Sequence, residues 1–385
     1  MTVFTFTHSQ LVTITACITA DELARQFNHY TDSLTRASWH GETRIGIGGL
    51  GLTNGQMAAC LQRLYAFFGK EEESFSATPE DSFGDWVDRL MPFLAEGIRQ
   101  FSFLPAIDAK GSAIIHPADE LVQDTRAIAN LVQGRRRVIS MVAPHSLFGF
   151  VTGVLAPNLL DIEAIDGRAL FADNFENRLA PGDLVVATPT LWRFLLKSLP
   201  GFPANIVGLS FGEPMPGALY STLRENGLTG MREFYGSTET GILAWRENPS
   251  DGFTLFDFWL RDQDKVIRVR PDGEKISVQP MDRLIWGSGQ SFTLGGRRDG
   301  AVQIGAVNVF PKAIAKKIAA HPDIKDCKVS VSKRGASLDR LIARIVLKDG
   351  LLPDQTIAWK VDAWCRKKLR PPERPRIYTF TDSLE

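Results

Sequence analysis

The chain is poor in cysteine and has no excess of charge of either sign. Its 385 residues include four cysteines, Cys17, Cys60, Cys327 and Cys365, far apart and without a C-x-x-C pair. Neither a zinc site nor a disulfide framework is expected, and a reducing, cytoplasmic setting fits. Lys and Arg number 44 against 44 Asp and Glu. With no net charge and no long basic stripe, nucleic acid is not an expected partner. The short basic run Gly134–Arg137 is expected to cap the C-terminus of a helix. No internal repeat or low-complexity tract is present. The apolar stretch LVTITACITA near the start lacks a basic leader, which argues against a secretory signal. The uncharged run Val138–Leu160 has 23 residues, enough by length to span a bilayer. Pro144, His145, Gly149, Gly153, Pro157 and Asn158 interrupt it, so a strand, a turn and a short helix are expected there and no membrane span.

What is present is an alternation. DELARQFNHYTDSLTRA and NGQMAACLQRLYAFFG carry apolar residues at helical spacing, and RIGIGGLGL between them is predicted as a strand. VISMVA, LVVATP, ANIVGLSFG and MREFYGS are apolar, β-rich runs that end in small or turn residues and are separated by helical stretches such as TLWRFLLKSL and PGALYSTLREN. This predicts an α/β fold with mostly parallel sheets wrapped by helices, in which ligands sit at the carboxyl ends of strands. SFGEP and YGSTETG both fall at such ends. From Gly252 to Ile304 short strands and turns predict a small antiparallel or barrel subdomain, and a compact α+β unit follows GRRDG. The expected boundary is Arg298–Asp299, giving a large domain over 1–298 and a small one over 299–385.

The segment Tyr235–Gly241 has the chemistry of a phosphate-binding turn. An aromatic ring offers a face to a purine, small residues let backbone N–H groups approach a phosphate, a hydroxyl donates to it, and a carboxylate holds a bridging magnesium. Taken alone, it is equally a polar turn with a surface glutamate. In the context of the strand before it, YGSTETG resembles the nucleotide-binding turn of the adenylate-forming acyl-activating superfamily: acyl- and aryl-CoA synthetases, luciferases and peptide-synthetase adenylation domains. The resemblance implies nucleotide contacts from Tyr235 and Gly236 and catalytic roles for Thr238 and Glu239. It makes Glu239 the magnesium ligand and sets Gly241 beside the acyl pocket. Leu209–Leu219 resembles the turn that lines the adenine, with Gly212, Glu213 and Pro214 in matching places. Asp282 precedes GRRDG by the interval of the family's ribose-binding aspartate, so Arg297 would approach the nucleotide and Asp299 would be the hinge of a mobile C-terminal domain. APHSLFGF resembles the wall of the acyl pocket in aryl-acid ligases and nominates His145 and Phe148 for substrate contact; a packed core histidine is the competing reading. The overall pattern looks most similar to compact aryl-acid ligases of secondary metabolism.

Two departures are visible in the sequence. Between RQFSF and IIHP the family carries a Ser/Thr/Gly-rich loop that grips the outer phosphates of ATP. Here that place holds LPAIDAKGSA, where Leu104–Asp108 offer neither glycine nor hydroxyl, Pro105 has no N–H and Asp108 would repel a triphosphate; Lys110, Gly111 and Ser112 would compensate only in another register. The family's late lysine, which bridges the carboxylate and the α-phosphate, is expected to be missing, because the sequence reaches SLE without it and Lys367 and Lys368 lie on a predicted surface helix. Loss of one such contact costs about 2.7–4 kcal/mol of transition-state stabilisation. Ala306 also stands where the family often has a second glycine beside the thiol tunnel. The resemblance therefore implies one of two functions. The first is an ATP- and Mg2+-dependent ligase passing an acyl or aryl group from its adenylate to coenzyme A or an acyl carrier protein. The second is an adenylation-deficient relative that binds nucleotide or acyl groups, or transfers an acyl group activated elsewhere.

Overall fold

A computed structural model describes residues 4–70, 77–105, 112–170, 178–304, 307–332 and 340–384. The chain forms two compact units, Met1–Pro280 with Trp286–Thr293, and Met281–Ile285 with Leu294–Glu385.

The first unit opens with the helix His8–Phe27, whose N-terminus is closed by a reciprocal capping box between Thr7 and Gln10. Helices Asn54–Phe67 and Phe83–Ala95 carry the same device, at Thr53 and Ser82. RIGIGGLGL between the first two is not the predicted strand. Leu50 N bonds Arg44 O at 2.9 Å and Leu52 N bonds Ile45 O at 3.1 Å, so the segment closes on itself as a turn; only at its start does it meet another segment, where Ile45 N bonds Asp81 O at 2.8 Å and Arg44 makes a bridge to Ser82.

Among the described residues the main sheet has nine strands, and five of them are parallel: Glu163–Asp166, Arg137–Ser140, Leu184–Val186, Val207–Ser210 and Gly230–Ser237, in that spatial order. At Gly230–Ser237 the direction changes. Its other neighbour, Gly241–Arg246, is antiparallel, as is Phe253–Leu255 beyond it. Asp282–Trp286 and Ser291–Arg297 complete the sheet and are divided between the two units. Trp192, Leu195, Leu223 and Met231 pack with Ile139, Val185 and Ile206 in one core cluster, so the helices Pro189–Ser198 and Gly217–Glu225 cover one face. Elsewhere in this unit Phe67, Phe101, Phe103 and Phe150 meet edge-on or tilted. Trp259–Asp262, Lys265–Val269 and Lys275–Val278 form a separate antiparallel sheet.

The uncharged run Val138–Leu160 enters as a strand and leaves as a helix with a π-helical turn at Val151–Leu155. Among the described residues no helix is long and apolar enough to cross a membrane. The arginines of the basic run do not cap a helix. Arg137 lies on a strand and grips the fully buried Asp183 through Nε–Oδ1 at 2.9 Å and Nη2–Oδ2 at 3.0 Å, while Arg135 bonds Asn205. They brace the starts of neighbouring strands.

The second unit is α+β. Ile324–Ser332 and Arg340–Leu347 pair antiparallel and Ile377–Phe380 joins in parallel. Helices Pro311–Ala319 and Gln355–Lys368 contribute Ile314, Ile318, Val361 and Cys365 to the core beneath. All four cysteines are buried thiols, and burial pushes Cys60 and Cys327 up to about 12.

Because a carboxylate deprived of a buried partner is costly and so is the partner left behind, Asp183→Ala is expected to lower unfolding free energy by about 3–5 kcal/mol. Urea denaturation checks it; a loss under 1 kcal/mol contradicts the bracing role.

Candidate functional site

The tip Ser237–Gly241 is shaped by a bulge. The register between Gly230–Ser237 and Gly241–Arg246 slips after Tyr235, so Gly236 faces Ile242 and Ser237 faces Gly241. A Cβ on Gly236 would stand 2.1 Å from the Gly241 carbonyl oxygen, so no other residue fits there without moving backbone. Gly241 has φ +78°, in the left-handed region. Ser237 N donates to Thr240 Oγ1 at 3.0 Å and Thr240 N to Ser237 O at 3.3 Å. Thr238 and Glu239 are left at the tip, half-buried. The side chains of both are without a hydrogen bond to another described residue.

The neighbouring strand Val207–Ser210 ends opposite Glu233. Gly212 then turns the chain with φ +88°. Glu233, 2% exposed, accepts from Met215 N at 2.9 Å and from Arg246 Nε and Nη2 at 2.7 and 3.0 Å. Burial lifts its carboxyl above the usual range, against the pull of Arg246 and the amide. Arg246 itself lies 4.3 Å over the Phe253 ring. One carboxylate thus fastens the turn Phe211–Met215 to the strand that carries the tip. Glu213 in that turn accepts from Thr190 Oγ1 at 2.7 Å, bracing it to the helix Pro189–Ser198. Phe211 stacks on Phe148 with centroids 4.6 Å apart at 15°.

A third element meets the tip. Gln100–Phe103 and Ile114–Pro117 are an antiparallel pair, and His116 on the second strand lies with Nε2 2.6 Å from Thr238 O. A carbonyl only accepts, so Nε2 carries the hydrogen. Burial holds the imidazole below its usual range and therefore neutral at pH 7.

No family model matches the sequence. The chain is 33% identical over 261 residues to a 4-coumarate–CoA ligase of Halorhodospira halophila, covering 68% of this chain and 66% of that relative. It is 29% identical over 363 residues, 91% of each chain, to a 4-coumarate–CoA ligase of Rhodobacter capsulatus. The chain belongs to the adenylate-forming acyl-activating superfamily. Solved structures agree in fold: an amide bond synthetase, McbA from Marinactinospora thermotolerans, superposes with TM-score 0.58 at 15% identity over 97% of this chain and 91% of that one. A malonyl-CoA ligase, in a complex with methylmalonyl-CoA and AMP, gives 0.55 at 14% identity, over 74% and 70%.

Of the residues nominated from this superfamily's motifs, the structure brings Gly212, Glu213, Pro214, Gly236, Thr238, Glu239 and Gly241 to two adjoining strand ends, with Phe148 beside the first. Tyr235 is 9% exposed, and its ring packs against Phe253 and Phe292, each at 5.6 Å. His145 is largely buried elsewhere, with Nε2 3.8 Å from Asp21 Oδ2 on the first helix and Nδ1 without a hydrogen-bond partner among the described residues. Burial pushes its pKa down to about 4. Asp282 and Arg297 belong to the second unit, where Arg298 N bonds Met281 O at 2.8 Å and so sets them at one end of a strand pair. The Arg297 guanidinium grips Asp299 at 2.9 and 2.6 Å and holds that carboxyl below its usual range. The loop readings at Ala106–Gly111, including Asp108 and Lys110, and the reading of Ala306 beside Gly305 lie outside the described residues.

Glu239 is a lone carboxylate next to a hydroxyl, and among the described residues no group of three or more His, Cys, Asp or Glu is assembled to hold a metal. Such a donor set suits magnesium held mainly by a substrate's phosphates. Sequence reasoning missed Glu233, Thr190 and His116. Glu233 and Arg246 are opposite in the hairpin, so the near-symmetric spacing of an acid and a base about STETG was the signal for that pair. His116 and Thr238 are 122 positions apart, and no local pattern announces them.

Gly236→Ala is expected to destabilise the first unit by about 1–3 kcal/mol, since the added methyl collides with backbone rather than a yielding side chain. Gly217→Ala, with nothing within 4 Å of the new carbon, is the control and should be neutral or stabilising. Equal midpoints for the two variants in denaturant titration contradict the bulge geometry as the reason for this glycine.

Proposed function

We propose that this member of the superfamily activates an aromatic carboxylic acid as its adenylate and transfers the acyl group to coenzyme A. The observation that carries the proposal is the pair of glycine turns at adjoining ends of parallel strands, locked together by Glu233. That is where a nucleotide binds in sheets of this kind. In this reading Thr238 offers its hydroxyl to the α-phosphate, Glu239 supplies the protein's ligand to Mg2+, and Gly212, Glu213 and Pro214 line the adenine. Tyr235 backs the tip from the strand that carries it, and the roles of Asp282 toward the ribose, of Arg297 toward the nucleotide and of Asp299 as hinge are those the resemblance implies. ATP and magnesium would supply the phosphoryl electrophile and its charge neutralisation. The apolar wall of Phe148 and Phe211 suits a flat ring, and the two relatives compared by sequence bear the name of an aromatic acid, 4-coumarate. An acyl carrier protein in place of coenzyme A is the alternative acceptor.

A second reading rests on Leu104 and Pro105, which open the loop where the superfamily grips pyrophosphate and which bring no hydroxyl and, at Pro105, no N–H. In that reading the protein binds AMP or acyl groups without forming an adenylate.

ATP–pyrophosphate exchange with 4-coumarate, cinnamate, benzoate and a fatty acid tests the two readings. The ligase is expected to exchange with the aryl acids, and Glu239→Ala to slow exchange by about a hundredfold or more. AMP binding without exchange favours the second reading. Binding of neither AMP nor ATP contradicts both.

A further inference from the structure

The tip that bears Thr238 and Glu239 is held from beneath at both ends by a buried cluster on other elements. At the leading end His116 Nε2 donates to Thr238 O at 2.6 Å. At the trailing end Ile242 N reaches Asp124 Oδ2, at 3.5 Å, on the helix Ala118–Leu131. Arg268 secures that acid through Nη2–Oδ1 at 2.8 Å and donates to Glu120 O at 2.7 Å. The missing side chain of Gly241 lets the cluster approach: a Cβ there would stand 3.2 Å from Arg268 Nη1, 3.4 Å from Asp124 Oδ2 and 3.9 Å from His116 Cε1. Arg268 and Asp124 are 2% and 1% exposed, so the cluster is part of the interior.

The peptide joining Thr238 to Glu239 is trans, and in a trans peptide the carbonyl and the N–H point in opposite directions. A carbonyl pulled down onto His116 therefore sends the Glu239 N–H up, away from the strand Ile114–Pro117. The hydrogen bond that looks structural sets the direction of a donor at the tip.

We propose that His116 is a positioning residue: by holding the Thr238 carbonyl, it aims the Glu239 amide N–H at the phosphate of the bound adenylate. The inference rests on the adenylate reading above and adds to it a residue outside the nucleotide-binding turns.

His116→Phe keeps a ring of similar size against Phe103 and removes the donor, while His116→Gln places an amide N–H at about the reach of Nε2. The readouts are AMP affinity by calorimetry, hydrogen–deuterium exchange of peptides covering 236–243 in the nucleotide-free protein, and the KM values of the exchange reaction. For the Phe variant the expected results are AMP affinity lower by about tenfold or more, the worth of one well-made hydrogen bond, and faster exchange confined to 236–243. KM for ATP should rise while KM for the acid stays within about twofold. The Gln variant is expected to stay within about threefold of wild type throughout. If Phe is not tolerated by the fold, His116→Ala with and without added imidazole gives the same comparison. A folded Phe variant with wild-type AMP affinity and exchange overturns the inference, as does a folded Gln variant no better than Phe. Wild-type protein that binds no AMP overturns the adenylate reading itself, a result distinguishable from the other two.

Discussion

A single buried carboxylate decides how the two glycine turns at the adjoining strand ends meet. Glu233 sits almost out of contact with water on the strand where the sheet changes from parallel to antiparallel. A charge in that position is costly unless every lone pair finds a strong donor. The donors come from two directions, Met215 N from the turn after one strand and the Arg246 guanidinium from the hairpin on the other side. The contacts that offset its burial are thus the contacts that fix Phe211–Met215 against the strand leading to Ser237–Gly241. With that link in place, the remaining geometry follows from sterics: the bulge at Gly236, the left-handed Gly241 and the mutual bonding of Ser237 and Thr240.

The same device recurs in the first unit. Asp183 with Arg137, Glu233 with Arg246 and Asp124 with Arg268 each join a buried acid to an arginine from another segment. The first braces the amino ends of two parallel strands, and the other two serve the carboxyl ends. Such pairs gain little over a well-packed apolar contact in net stability, but each has one satisfactory geometry. Apolar packing of Trp192, Leu195, Leu223 and Met231 joins the helices to the sheet; the ion pairs determine where the loops at its ends stand. Burial lifts the Asp124 carboxyl to about 6, a sign of how far this cluster is removed from solvent.

Much of this was legible in the sequence. The strand runs ending in small residues, the switch to short strands after Gly252 and the α+β texture after GRRDG are periodicity and turn chemistry, which are local. So are the motifs SFGEP and YGSTETG, whose side chains do stand at adjoining strand ends. RIGIGGLGL deceived because alternating Ile and Gly imitates a strand while the glycines permit a self-bonded turn. The basic run deceived because the partner of Arg137 is Asp183, 46 positions on. His145 carries two readings by motif, pocket residue or packed core histidine, and the contact that bears on them, with Asp21 on a helix more than a hundred residues earlier, is invisible locally. Polar contacts across such separations leave no periodic trace, and here they are what orients the site.

The central claim is that the ends of Val207–Ser210 and Gly230–Ser237 together hold an adenosine monophosphate. A crystal structure grown with AMP tests it most directly. The account predicts a phosphate within hydrogen-bond distance of Thr238 Oγ1 and Glu239 N, with the purine against Gly212–Pro214. A nucleotide bound at another strand edge, with those two turns packed shut, contradicts it.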